Sequence, residues 1–245
     1  MVEKVFVVLE CSGIDRHVQW DYKFISAGVS YVTFNRLYYP SRPICKELFL
    51  DSGAFSVMNK LGKYPYTPKQ YIAFAKKLKA DYVAIMDYPC EPNSKIKLTT
   101  KEKIQLTVDN AIKLMDLADL NWVMVLQGWK IDDYLYCLDL AKEHGLLTDL
   151  TAIGPVCVRK NMSEVRKIIT TIRKELPKKI KIHCFGLNIK FIKNMEIFHN
   201  IYSFDSHAWG AYKTYTQRIK ALKDWLNKVN SIINSMRYNK SLSEF

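Results

Sequence analysis

A chain of 245 residues with 49% hydrophobic and 25% charged side chains can bury one sizeable core, which excludes a disordered or fibrous composition. Thirty-seven Lys and Arg against 24 Asp and Glu leave a formal charge of +13; this favours a polyanionic partner, because each neutralised phosphate releases counterions. No apolar run approaches the ~18 residues of a membrane helix, and "MVEKVFVVLEC" lacks the pattern of a secretory leader, so a soluble, cytoplasmic protein with no membrane role is expected.

In chain order, short apolar runs alternate with helix-like segments. The first strand is expected over 5–11 (VFVVLEC), the second over 29–34 (VSYVTF) and the third over 48–53 (LFLDSG). Between the second and third, residues 35–46 (NRLYYPSRPICK) show no helix, so one connecting helix is expected to be irregular or missing. A helix over 67–80 opens with Thr67 as cap and Pro68 in its first turn, and a strand follows over 82–89 (YVAIMDYP). Helix 99–118, strand 122–128 (WVMVLQG), helix 132–145 with its closing Gly145, and strand 150–156 (LTAIGPV) continue the rhythm. Helix 161–176, strand 180–186 (IKIHCFG), strand 201–209 (IYSFDSHAW) and a final helix over 214–236 complete it.

Strands that are nearly continuous in hydrophobicity are buried on both faces, as in a parallel sheet covered by helices. Eight of them in this length suit an α/β fold of the (β/α)8 TIM-type barrel class, one domain over 1–245 with 214–245 as a C-terminal helix and tail. An open doubly wound sheet is the competing architecture. The six cysteines (11, 45, 90, 137, 157 and 184) contain no pair at zinc-knuckle spacing and read as reduced core residues.

Polar or small residues recur where these strands stop. Asp51, Asp87, Gln127, Gly154, His183 and Asp205 all fall at or just inside C-terminal strand ends, which converge on one face of a barrel. Each alone has an ordinary reading: Asp51 a turn cap, Asp87 an Asx turn, Gln127 a loop start, His183 a satisfied core histidine. Asp205, amid Phe204, Ala208 and Trp209, demands a partner or a task. No His-x-His pair or Glu-rich set points to a catalytic metal. Several carboxylates with an amide suit displacement at a sugar anomeric carbon, one acid attacking and another managing protons. A carboxylate can also accept the paired N1–H and exocyclic amine of a guanine-like base. A lyase or hydrolase acting on a small phosphorylated substrate, and a non-catalytic base-binding barrel supporting another enzyme, remain alternatives.

The ordered set "DSGAF", "MDYPCEP", "LQG", "AIG", "HCFG" and "SFDS" resembles the catalytic barrel of the tRNA-guanine transglycosylases over residues ~48–209. The length and the closing "SFDSHAW" resemble the DpdA branch, which exchanges guanine in DNA for 7-deazaguanines. The resemblance implies Asp205 as nucleophile on C1′ and Asp51 as general acid/base with Ser52 beside it. It further implies Asp87 reading the guanine edge, Gln127 and Gly154 facing the carbonyl, Phe55 and Phe185 stacking on the base, and His183 and Gly186 shaping the pocket. Three departures stand out, one being that "SHAWGAYKTYTQR" replaces the Arg-bearing segment that follows the nucleophile in the tRNA enzymes. Pro155 replaces a second glycine and has no N–H to donate, so the Val156 amide is expected to serve instead. No cysteine follows Asp205, so the zinc site of the tRNA enzymes, and any other cofactor, is not expected. DNA, with tRNA as the alternative, and a free 7-deazaguanine base are the expected partners, alongside partner proteins or a homodimer.

Overall fold

The computed structural model describes residues 1–9, 19–92, 95–210 and 214–243. Eight parallel strands close a barrel in strict chain order: β1 (Lys4–Val8), β2 (Tyr22–Ser26), β3 (Glu47–Asp51), β4 (Tyr82–Ala84), β5 (Trp122–Leu126), β6 (Leu150–Ile153), β7 (Lys181–Cys184) and β8 (Ser203–Ser206). Closure is made by β8 against β1, with Phe6 opposite Asp205. The strands are buried almost throughout, which is why their sequences run apolar without alternation. The fold is thus the expected (β/α)8 barrel, not an open sheet.

Helices cover the outside: α1 (Ala27–Phe34), α2 (Ala54–Leu61), α3 (Pro68–Leu78), α4 (Thr100–Leu117), α5 (Ile131–Glu143), α6 (Met162–Glu175), α7 (Met195–Asn200) and α8 (Tyr215–Ser243). Their starts are chemically marked. Thr67 with Gln70, and Thr99 with Glu102, form reciprocal capping boxes at α3 and α4, and the Asn161 side chain accepts from the Ser163 and Glu164 amides at α6.

The sequence expectation fails at one place with consequences for the site. Residues 29–34 lie in helix α1, and the second strand is Tyr22–Ser26 instead. The β-branched run VSYVTF favours a strand by propensity. Tertiary context overrides it: Ser26 caps the helix by accepting from the Val29 amide, Asn35 ends it in the left-handed region, and five β2 residues pair in register with β3. Residues 35–46 are irregular as expected, yet no helix is missing, because α1 precedes them. Helices α2 and α7 were not anticipated, and the strands are shorter than their apolar runs: residues 85–89 leave β4 as irregular chain.

The barrel axis is filled by rings. Phe49 stacks on His183 at 4.7 Å and on Phe24 at 5.2 Å, while Phe6 meets Phe49 edge-on at 5.5 Å. Below this layer the Lys4 ammonium binds Glu47 at 2.6 Å and lies 5.2 to 5.5 Å from the centroids of Tyr202, Tyr82 and Tyr22. Phe24 and Phe185, both packed on Phe49, form the aromatic floor of a cavity at the other end of the barrel. Among the described residues no helix is long and apolar enough to cross a membrane.

Candidate active site at the C-terminal mouth of the barrel

A cavity of about 590 Å³ opens above the aromatic floor, lined by Asp51, Asp87, Gln127, Gly154, Phe185, Gly186 and Asp205 from six successive strand ends. Phe55, 46% exposed at the start of α2, stands on one wall, and Phe185, half-buried against His183, Phe49 and Phe24, stands at another.

Asp51 ends β3, and its Oδ2 accepts the Gly53 N–H at 2.9 Å. Gly53 makes this turn because its φ of +73° is left-handed and its backbone presses on Gly28. A Cβ at Gly53 would lie 2.1 Å from the Gly28 nitrogen, so no larger residue fits. Burial, then the negative charges of Asp87 and Asp205, push the Asp51 carboxyl up to about 8, against smaller opposing effects of bonds from Ser26 and Gly53. Asp51 therefore keeps its proton at neutral pH.

Asp87, just beyond β4, accepts one hydrogen bond on each oxygen. Ser52 Oγ donates to Oδ1 at 2.9 Å and Gln127 Nε2 to Oδ2 at 2.5 Å. Burial lifts its carboxyl to about 6, and these two bonds hold it from rising further. The supports are themselves fixed. The Gln127 carbonyl accepts the Cys90 N–H at 3.3 Å, which sets the amide orientation, and Tyr64 donates to the Asp87 backbone carbonyl at 2.8 Å while Tyr66 donates to that of Ser52. Gly154 leaves room for Gln127: a Cβ there would come within 2.9 Å of its Nε2.

Asp205, in β8, is held through Oδ1. Its Oδ1 accepts from His183 Nε2 at 3.2 Å and from the Gly186 N–H at 2.9 Å, while no described donor reaches Oδ2. The His183 Nδ1 lies 2.9 Å from Ser203 Oγ. With Nδ1 accepting from Ser203 and Nε2 donating to Asp205, both ring nitrogens are satisfied. Gly186 can present its N–H because φ is +60°, and a Cβ there would collide with Cys157 at 2.4 Å.

The structure brings Asp51, Phe55, Asp87, Gln127, Gly154, Phe185, Gly186 and Asp205 to one cavity. Ser52 and His183 lie outside its lining and bond to Asp87 and Asp205. Val156 departs from expectation: it is buried outside the lining, and Pro155 and Cys157 occupy the wall beside Gly154. Cys157 is thereby exposed, whereas Cys90, Cys137 and Cys184 are buried as expected; Cys11 lies outside the described residues. Ser26 also lines the cavity and was missed, because the misplaced second strand hid the fact that it ends β2 beside Asp51. Among the described residues no group of three His, Cys, Asp or Glu is placed to hold a metal ion.

Fold and site together define a parallel barrel whose mouth offers an acid whose burial favours its protonated form, a second held through one oxygen, and a third bonded on both. Residues 23–242 match the family model DpdA, "DeoxyPurine in DNA protein A", and the chain belongs to that family. It is also similar to a tRNA-guanine(15) transglycosylase of Methanococcus aeolicus, 28% identical over 178 residues, a match covering 68% of this chain and 26% of that protein. The chain thus spans about a quarter of the length of the curated relative it matches.

Proposed function

We propose that the protein is a transglycosylase that exchanges guanine in a polynucleotide, DNA in the first place, for a 7-deazaguanine base. The observation that carries this is the contrast between two acids in one cavity: Asp51, where burial beside Asp87 and Asp205 favours the protonated form, and Asp205, tethered through Oδ1 with no described donor on Oδ2. In this reading Asp205 Oδ2 attacks C1′, the C1′–N9 bond breaks, and the departing guanine takes the Asp51 proton. The incoming 7-deazaguanine loses its N9 proton to Asp51 and displaces Asp205 from C1′, so atoms and charges return to their starting state. No cofactor is required.

Asp87 and the second N–H of the Gln127 amide face the edge of the base, and Phe55 with Phe185 supply its stacking faces; base–aromatic stacking contributes about 1–3 kcal/mol per base. A cavity of this depth admits a base only once it has left the stack, so the target is single-stranded, terminal or flipped. The family's description favours DNA; the name of the Methanococcus aeolicus relative makes tRNA the second substrate to try.

The test is to incubate the protein with guanine-containing DNA or tRNA and labelled 7-deazaguanine bases, with partner proteins added in a parallel set. Label should enter the polymer, and a denaturing gel should show a protein–nucleic acid adduct that Asp205→Asn abolishes. Exchange at wild-type rate by Asp205→Asn would overturn the nucleophile assignment. Label entering neither polymer in either set would leave the barrel as a base-binding module.

A further inference from the structure

A second cleft of about 460 Å³ lies outside the barrel mouth, between α1, the chain that follows it, and α3. Tyr31, Asn35, Arg36, Tyr66, Gln70 and Lys77 contribute to its walls. Two features link the cleft to the catalytic cavity. Val29 lines the cavity and Asn35, six residues on in α1 and its cap, lines the cleft, a run of about 9 Å at 1.5 Å per residue. Tyr66 lines the cleft and donates to the carbonyl of Ser52, whose hydroxyl supports Asp87.

Charge at this cleft has one sign. Both charged residues of its lining, Arg36 and Lys77, are cations. Arg36 and Lys77 converge on one ring, 4.7 and 5.5 Å from the centroid of Tyr38. Among the described residues no carboxylate lies within ion-pair distance of either. Two cations gathered on an aromatic face without a counter-charge, beside a tyrosine-walled cleft, fit a phosphodiester strand whose phosphates meet the cations and whose bases meet the rings.

The geometry points to this cleft as the track for the single strand flanking the target nucleotide, with Arg36 and Lys77 neutralising two successive phosphates. The inference rests on the nucleic-acid reading above, and adds to it a location and a direction of exit from the cavity along α1. A strand rising ~3.4 Å per nucleotide reaches the cleft two to three nucleotides from the flipped base.

Fluorescence anisotropy with labelled dT12, from 50 to 300 mM KCl, tests this without requiring exchange, since the oligonucleotide has no guanine. For Arg36→Glu/Lys77→Glu the slope of log K against log salt should fall by about 1.4, at ~0.7 per phosphate for single strands, with Kd raised at least about tenfold at low salt. Arg36→Gln/Lys77→Gln, with the same melting temperature as wild type, should lose the same slope. The control is Lys178→Glu/Lys179→Glu, exposed at the turn before β7 on the opposite end of the barrel, which should bind within about twofold of wild type. An unchanged slope in the cleft variants, an equal loss in the control, or a wild type that does not bind dT12 overturns the inference. Failure of the exchange assay with normal dT12 behaviour would refute the catalytic reading and leave the cleft standing.

Discussion

Replacing Asp51 by Asn should stabilise the protein at neutral and alkaline pH while removing its chemistry. An aspartate in an unfolded chain titrates near ~3.9, so folding compels this group, raised to about 8, to keep a proton that it would otherwise release. The folded value is the higher one, so the group's contribution is fully favourable below about pH 4, drains away as pH rises towards about 8, and stays lost above that. Roughly four pH units at ~1.36 kcal/mol each set an upper bound on the order of 5 kcal/mol. The cavity side of Asp51 meets water, and discounting the bound for solvent screening leaves about 2 kcal/mol. Asn keeps an acceptor for the Gly53 N–H and carries no charge at any pH. At ~2–4 °C per kcal/mol for a chain of this size, Asp51→Asn should melt about 4–8 °C above wild type at pH 8.5, with the gap closing by pH 4. Exchange should fall about 10²–10⁴-fold, the usual loss of a general acid/base. Thermal unfolding followed by circular dichroism across pH 4 to 9 reads the gap. A difference that does not grow with pH, or a variant less stable than wild type at pH 8.5, refutes the reasoning.

Gln127→Ala removes a charge-assisted bond to Asp87 worth about 1.5–3 kcal/mol, so the acidic limb of the kcat/KM profile should move up from near 6 by about one pH unit; an unmoved limb separates Asp87 from the pH dependence. Gly53→Ala forces a Cβ to 2.1 Å from the Gly28 nitrogen at a φ of +73° and should cost more than about 3 kcal/mol, read as a lowered urea midpoint; a loss below about 1 kcal/mol would show that the α1–α2 contact yields easily.

The architecture was legible because both of its signals are local: continuous apolar strands report burial on two faces, and Thr67, Thr99 and Asn161 mark helix starts by their own side-chain chemistry. The strand-end acids were legible for a related reason, since a carboxylate inside an apolar run is costly unless it has work or a partner. What failed was long-range. Nothing local in VSYVTF says helix; its fate is decided by Ser26 and by the pairing of Tyr22–Ser26 with β3, a strand in which fully buried Lys23 breaks the apolar pattern. The same misplacement concealed Ser26 in the cavity. Val156 was misplaced because alternation along a strand does not continue through Gly154-Pro155, beyond which the wall passes to Cys157.

The three carboxylates are also coupled, in a way that gives the proposed reaction its order. The charge on Asp205 is one of the forces holding the proton on Asp51. Ester formation between Asp205 and C1′ removes that charge, so the bond that makes the intermediate also loosens the proton that the departing base needs. When the incoming base displaces Asp205, the carboxylate is restored and Asp51 again favours its protonated form. Environments that drive neighbouring acids apart assign them different roles. Here the division comes from donors: two on one Asp205 oxygen, one on each Asp87 oxygen, and for Asp51 a Gly53 amide and a Ser26 contact too weak to outweigh burial and two like charges.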